Sequence, residues 1–130
     1  MLPSLSGSAW LGLFGIALLG GLGSGLRLLL SHWHGRLPWG ILLGNSAASV
    51  VVGFAFVLSQ HGTGWDPLWA GLLATGFAGG LSTFSSWAAQ TLHYFSGGQK
   101  RAGMANLLLN LTIPVVCALL GIFLGAFLLK

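Results

Sequence analysis

The chain has 130 residues, of which 55% are hydrophobic and 5% are charged, and its formal net charge is +4. Soluble domains carry about 25% charged residues, so this composition excludes a water-soluble fold, and five scattered Lys and Arg residues are too few for a nucleic-acid-binding protein. The apolar residues gather into four blocks, each about as long as the roughly 20 residues that a helix needs to cross a bilayer. The blocks cover about residues 10–30, 39–58, 68–94 and 102–129. The sequence therefore predicts an all-α integral membrane protein, with four transmembrane helices forming a single domain over residues 1–130.

The first block ends close to Arg27, in the stretch GGLGSGLR. The residues before the block contain no Lys or Arg, which favours a retained membrane span over a signal peptide. Two roles are open for Arg27: an anchor that extends to the membrane surface, or a source of positive potential at a pore mouth. Arg36, Lys100 and Arg101 fall on one side of a four-span chain, so the positive-inside rule favours termini on the outer side. The charges are few, and insertion in both orientations stays open.

The second and fourth blocks carry asparagines inside apolar sequence. Asn45 and Ser49 are four residues apart, as are Asn106 and Asn110, so each pair shares one face of its helix. An asparagine amide has two N–H donors, which can replace water around an anion without trapping it as a fixed positive charge would. The alternative is interhelical adhesion, worth about 0.6 kcal/mol per hydrogen bond.

The third block contains GFAGGLSTFSSW, residues 76–87. Gly79 and Gly80 each weaken a helix by about 1 kcal/mol relative to Ala. An unwound turn survives in lipid only if it is buried in protein or lines a cavity, so the third helix is predicted to be broken near the membrane midplane. Phe84 and Trp87 lie three residues apart on one face, and aromatic ring edges are electropositive enough to attract an anion. Ordinary aromatic packing is the alternative.

Each block also contains two glycines at four-residue spacing, a pattern that permits close helix packing in membranes. The pairs are Gly21 and Gly25, Gly40 and Gly44, Gly76 and Gly80, and Gly121 and Gly125.

Acidic residues are missing from all four blocks, since Asp66 is the only Asp or Glu and lies in a loop sequence. Proton-driven transporters usually rely on carboxylates or histidines within the membrane. The four histidines, His32, His34, His61 and His93, all fall in or near loop sequences, so the chain lacks the usual coupling group. It also has no acid–base pair, no nucleophile beside a base and no phosphate-binding loop. The sequence therefore predicts that the protein is not an enzyme.

Three motifs together resemble the Fluc (CrcB-type) fluoride channels. GFAGGLSTFSSW is similar to the family signature GFxGGxTTFSTF, GGLGSGLR to GGxxGAxxR, and PWGILLGNSAAS to GTLxVNxxGS. The resemblance implies a four-helix subunit in an antiparallel, dual-topology dimer. It further implies two fluoride pores at the dimer interface, a central structural sodium ion, and passive fluoride export by a multi-pass protein of the inner (cytoplasmic) membrane.

Position by position, the resemblance assigns roles to residues of this chain. It implies sodium binding by the backbone carbonyls of Gly79 and Ser82, and a vestibule or structural role for Arg27. The residues that it implies for the fluoride pores are Asn45, Thr83, Phe84, Ser86, Trp87, Asn106 and Asn110.

The chain departs from the family pattern at several of these positions. Trp87 stands where the family usually has Phe, Gln90 stands where Glu is common, and asparagines replace Tyr or Ser in the fourth helix. The larger indole would either narrow the ion path or donate its N–H directly to the ion. Some family members pair unlike subunits, so a homodimer is expected and a heterodimer with a sister subunit is the alternative.

Two other functions fit a small, glycine-rich membrane protein. A small multidrug-type dual-topology exporter also has four short helices, but it is expected to carry a membrane-embedded Glu that this chain lacks. A non-transporting assembly subunit of a membrane complex would explain the glycines but not the cluster of hydroxyl and aromatic residues.

Overall fold

The computed structural model describes residues 7–33, 35–61 and 66–129. Every regular element in these ranges is helical, which confirms the all-α prediction for the described chain. The elements are α1 (Gly7–Ser31), α2 (Trp39–Gln60), α3 (Asp66–Gly71), a π-helical segment (Leu72–Ala78), α4 (Gly79–Leu81), α5 (Phe84–Ser96) and α6 (Lys100–Leu128).

Three helices among the described residues are long and apolar enough to cross a membrane. They cover Ala9–Ser31, Trp39–Gln60 and Lys100–Leu128, in agreement with three of the four predicted spans and with a multi-pass membrane protein. The remaining predicted span, residues 68–94, consists of several shorter helices. No single helix there is long enough to span hydrocarbon alone, so a fourth crossing built from these pieces stays a prediction.

The chain leaves the helical conformation at Ser82 and Thr83. Both residues have extended backbones, with φ/ψ of −76°/154° and −151°/114°, and α5 begins at Phe84. Gly79 and Gly80 are themselves part of α4. The sequence placed the interruption at the glycine pair, whereas the structure places the non-helical residues two positions later.

The start of α5 explains part of this difference. The Thr83 hydroxyl accepts a hydrogen bond from the backbone N–H of Ser86 at 3.3 Å, which is the usual interaction of a threonine N-cap. Leu81, directly before the non-helical residues, is buried with Ala48 and Ala78. Helix α4 therefore ends after the buried residue Leu81, and the Thr83 side chain caps the start of α5.

Glycines allow α1 to contact the backbone of the third segment directly. A Cβ on Gly80 would collide with the carbonyl of Gly20, and a Cβ on Gly23 would collide with the carbonyl of Phe77. Gly21 and Gly25, in contrast, have no atom within 4 Å of an added Cβ. Close packing of α1 within the subunit therefore uses the face that carries Gly23, whereas the predicted pair Gly21 and Gly25 contacts no other element of the described chain.

The most extensive helix pairing joins α2 to α6. A Cβ on Gly53 would collide with the carbonyl of Ala118, and a Cβ on Gly121 would collide with the carbonyl of Val50. The backbones of the two helices therefore touch, which brings polar side chains on their facing surfaces within hydrogen-bonding distance.

Replacing Gly53 by Ala is expected to destabilise the protein, because the backbone carbonyl of Ala118 cannot move aside as a flexible side chain could. Overpacking of this kind costs about 1–3 kcal/mol. Thermal unfolding in detergent should show a lower midpoint for Gly53→Ala. Gly21→Ala is the matched control, with an unchanged or higher midpoint, because helix propensity favours Ala by about 1 kcal/mol. Equal midpoints for the two variants would contradict backbone contact between α2 and α6.

Candidate functional site

A polar groove lies where α2, α6 and the non-helical residues meet. Its volume is about 350 Å³. The polar and aromatic residues that line it are Asn45, Ser49, Ser82, Thr83, Phe84, Trp87 and Asn110. The structure thus brings together most of the residues predicted for the pore, and we call this cavity the amide groove.

Asn45 binds the non-helical backbone through both ends of its amide. Its Oδ1 accepts from the N–H of Thr83 at 2.7 Å, and its Nδ2 donates to the Thr83 carbonyl at 3.3 Å. In a continued α-helix the Thr83 N–H would donate to the carbonyl of Gly79. The Asn45 side chain therefore takes the place of the Gly79 carbonyl as the acceptor of the Thr83 N–H. Neither backbone group of Thr83 is left without a partner, as buried backbone groups require.

The three asparagines form one connected chain of hydrogen bonds. Asn45 Nδ2 donates to Asn110 Oδ1 at 3.2 Å, and Asn110 Nδ2 donates to Asn106 Oδ1 at 3.2 Å. Asn106 Nδ2 donates in turn to the Thr91 hydroxyl at 2.8 Å. Asn106 is only 2% exposed and lies behind Asn110 rather than on the groove wall. Thr91 was not predicted as a site residue, and the signal for it was its position one helical turn after Trp87.

Phe84 and Trp87 form an edge-to-face pair, with ring centroids 5.0 Å apart and an interplanar angle of 76°. Phe84 is 74% exposed, whereas Trp87 is 8% exposed. The indole N–H of Trp87 donates to the backbone carbonyl of Asn106 at 3.1 Å. The N–H that the sequence offered as a direct donor to an ion is therefore engaged within the protein.

A second cavity, of about 500 Å³, lies on the side of the interruption that faces α1. Its polar residues are Ser24, Arg27, Ser31, Thr83, Ser85 and Ser86. Arg27 Nη1 donates to the carbonyl of Ser82 at 3.3 Å, so Arg27 is bound to the interruption and places positive charge beside it. Thr83 lines both cavities, and its hydroxyl donates to Ser86 Oγ at 3.0 Å.

The backbone carbonyls predicted to hold sodium lie at this interruption. The Gly79 carbonyl loses its helical donor, because the Thr83 N–H binds Asn45 instead. The Ser82 carbonyl accepts from Arg27 and keeps a second lone pair. Within the described ranges no three His, Cys, Asp or Glu residues form a metal-binding group. Carbonyl oxygens at an unwound turn are a suitable donor type for a sodium ion, so the residues fit the ion by chemical type.

The fold and the groove define a class of protein, namely a multi-pass helical membrane protein with a neutral polar site inside an apolar body. The family model described as "CrcB-like protein, Camphor Resistance (CrcB)" matches residues 14–126, a range that contains the interruption and all three asparagines. The chain belongs to this CrcB family.

Several relatives carry the name "Fluoride-specific ion channel FluC". One from Leptospira interrogans is 39% identical over 88 residues, covering 64% of this chain and 69% of the relative. One from Serratia proteamaculans is 35% identical over 109 residues, covering 81% and 86%. One from Escherichia fergusonii is 36% identical over 96 residues, covering 71% and 76%. The family expected from the three motifs is confirmed, and so is the prediction that the chain is not an enzyme, since its relatives are named as channels.

Replacing Trp87 by Phe is expected to lower the stability of the protein by about 1–3 kcal/mol, because the variant loses the hydrogen bond to Asn106 and leaves a small void. The matched control is Trp69→Phe, since Trp69 is 52% exposed and surface changes usually stay within about 0.5 kcal/mol. Unfolding in detergent, followed by tryptophan fluorescence, compares the two variants. A Trp87→Phe protein as stable as Trp69→Phe would contradict the structural role of the indole N–H.

Proposed function

We propose that this chain is the subunit of a fluoride-selective channel that gives passive fluoride export across the cytoplasmic membrane. Two lines of support converge: the relatives are named fluoride-specific ion channels, and the amide groove concentrates neutral hydrogen-bond donors in an apolar chain. The observation that carries the proposal is the connection of Asn45 and Asn110 with the extended backbone at Thr83.

A pore for fluoride has to replace a tightly held water shell. Amide and hydroxyl donors along the groove suit this task, because they supply partial positive charge without a fixed cation that would hold the ion. The donors are already paired with acceptors inside the protein, so an entering ion exchanges one hydrogen bond for another. A hydrogen bond to an ion is stronger than one between neutral groups, but each bond that the ion gains here breaks one within the groove, which lowers the net gain and favours passage over tight binding.

Passive flow agrees with the charges of the chain. Asp66 is its only acidic residue, and its four histidines fall in or near loop sequences, whereas proton-coupled transport usually requires a carboxylate or histidine within the membrane. In acidified surroundings HF enters a cell and dissociates in the more alkaline interior. Fluoride then leaves down its own gradient, and no coupling residue is needed.

An antiparallel dimer would cover the amide groove. The groove is open along one side, and Phe84 at its edge is largely exposed. Polar side chains facing hydrocarbon are costly, whereas a second copy packed against this side would enclose them. Two equivalent grooves would then give two pores at the interface. We propose a homodimer, with a sister subunit as the alternative partner.

Sodium at the centre of this dimer is also part of the proposal. The carbonyls of Gly79 and Ser82 would hold it, and the ion would join the interrupted segments of the two subunits. Its support is the loss of the helical donor at Gly79. Arg27 also donates to the Ser82 carbonyl, so its positive charge would stand beside the ion.

Replacing Asn45 by Asp tests the proposed pore. The variant keeps an acceptor for the Thr83 N–H but puts a carboxylate oxygen opposite the Thr83 carbonyl and Asn110 Oδ1. A carboxylate about 4 Å from fluoride repels it by about 4 kcal/mol at an effective dielectric constant of about 20. Fluoride efflux from liposomes should therefore fall by roughly a thousandfold.

Ser46→Ala is the matched control for Asn45→Asp. Ser46 is the next residue of α2, is buried, and has a hydroxyl with no hydrogen-bond partner among the described residues. Efflux through this variant should equal that of the wild type. Near-normal efflux through Asn45→Asp would remove Asn45 from the ion path.

A further inference from the structure

The amides of Asn45, Asn110 and Asn106 donate to one another in one direction, from the interruption toward α5, and the backbone groups of Thr83 fix that direction. The Thr83 N–H can only donate, so the Asn45 atom 2.7 Å from it is Oδ1. The Thr83 carbonyl can only accept, so the Asn45 atom 3.3 Å from it is Nδ2. The oxygen and the nitrogen of an amide look alike in a structure, but here the two backbone partners determine which end of the Asn45 amide is which.

The orientation of Asn45 on α2 determines that of Asn110 on α6. Asn45 Nδ2 can only donate, so it faces the oxygen of Asn110. The other end of Asn110 is then a nitrogen, and it lies 3.3 Å from the backbone carbonyl of Asn106 and 3.2 Å from Asn106 Oδ1. The remaining end of Asn106 is consequently Nδ2, which requires an acceptor in a position that is nearly closed to water.

Thr91 supplies that acceptor and ends the chain. Its hydroxyl donates to the carbonyl of Trp87 at 2.8 Å, which turns its lone pairs toward Asn106 Nδ2, also at 2.8 Å. Thr91 is 7% exposed and lines neither of the two cavities described above. Its contact with the groove is thus indirect, through the three asparagines.

We propose that Thr91 is a positioning residue of the amide groove: by accepting from Asn106 Nδ2, it completes the chain and holds Asn106 and Asn110 in the orientation that the Thr83 backbone sets at Asn45. This inference rests on the proposed function for its transport consequence, but the orientation itself does not. Turning the Asn106 amide over would set its NH₂ group against that of Asn110. Turning Asn110 as well would set its NH₂ group against that of Asn45, which the Thr83 backbone holds in place.

The loss of the Thr91 acceptor therefore cannot be corrected by one amide rotation. Asn106 Nδ2 then either stays without an acceptor or moves toward another one, and movement of Asn106 disturbs the amide donors of Asn110 and Asn45 that line the groove. A buried donor without an acceptor is costly, so the weakened chain should hold these donors less rigidly. Discrimination between a small, strongly hydrated anion and a larger one depends on that rigidity.

Thr91→Val tests the transport consequence, because Val has the same shape and lacks the hydroxyl. Fluoride efflux from liposomes should fall about tenfold, the effect of about 1.4 kcal/mol, and the ratio of fluoride to chloride efflux should also fall. Thr91→Ser restores the acceptor and should restore both quantities to within about threefold of the wild type.

Thr112→Val is the matched control, since the Thr112 hydroxyl makes the same type of bond, to the Leu108 carbonyl at 2.8 Å, on the exposed side of α6. It should leave efflux and the ion ratio unchanged. Wild-type efflux and ion ratio in Thr91→Val would overturn the inference. No fluoride efflux from the wild-type protein would instead contradict the proposed function.

Side-chain amide NMR tests the orientation without transport. Asn45, Asn106 and Asn110 are the only asparagines of the chain, so selective ¹⁵N labelling of asparagine yields one NH₂ signal for each. In the wild-type protein, the Asn106 NH₂ protons should lie close to Thr91, and those of Asn110 close to Asn106. Thr91→Val should shift the signals of both Asn106 and Asn110. A wild-type Asn106 NH₂ group turned away from Thr91, or a shift confined to Asn106, would overturn the inference.

Discussion

The structure depends on the pairing of Asn45 with the backbone of Thr83. A chain that leaves the helical conformation inside a membrane protein frees N–H and C=O groups, and each one that is buried without a partner costs several kcal/mol. Asn45 binds both polar groups of Thr83 in the manner of a peptide unit. Without this side chain the helix would be expected to continue, since the Thr83 N–H would return to Gly79. The interruption is therefore a tertiary feature, created by α2 as much as by the residues that are interrupted.

Close helix packing makes that pairing and its extension possible. Because Gly53 and Gly121 let α2 and α6 touch along their backbones, the short side chains of Asn45 and Asn110 reach each other across the contact. Asn110 then donates to Asn106 within α6, and Asn106 donates to Thr91 on α5. The glycines thus allow a short distance between the helices, and this distance lets the asparagine and threonine side chains form hydrogen bonds across the contact.

Much of the fold was predictable from the sequence, because hydrophobicity and block length are local properties. The scarcity of charge predicted a membrane protein, and the spacing of Asn106 and Asn110 predicted one polar face. The exact site of the interruption was not predictable, since local helix propensity points to Gly79 and Gly80, whereas a partner from α2 captures Thr83. The packing face of α1 within the subunit was also not predictable: the regular pair Gly21 and Gly25 lies away from the other described helices, and packing uses Gly20 and Gly23.

At the candidate site, too, the sequence predicted local features but not the contacts between helices. The motifs predicted which residues to consider, and the structure gathers most of them around one groove. Their hydrogen-bond partners could not be predicted from the sequence, because the partners lie on different helices. The indole N–H of Trp87 on α5 donates to the Asn106 carbonyl on α6, and Thr91 on α5 accepts from the Asn106 amide. The groups that look free in a sequence are engaged with one another in the fold, so an ion would meet a connected network rather than isolated donors.

Ion efflux from liposomes that contain only this purified chain tests the role of the groove most directly. Fluoride-selective and chloride-selective electrodes would follow the release of each ion from matched liposomes after the membrane potential is relieved by a potassium carrier. If the amide groove conducts fluoride, fluoride is released rapidly while chloride stays at the level of protein-free liposomes. Equal release of both ions, or no fluoride release from the folded protein, would contradict a fluoride-selective groove formed by this chain.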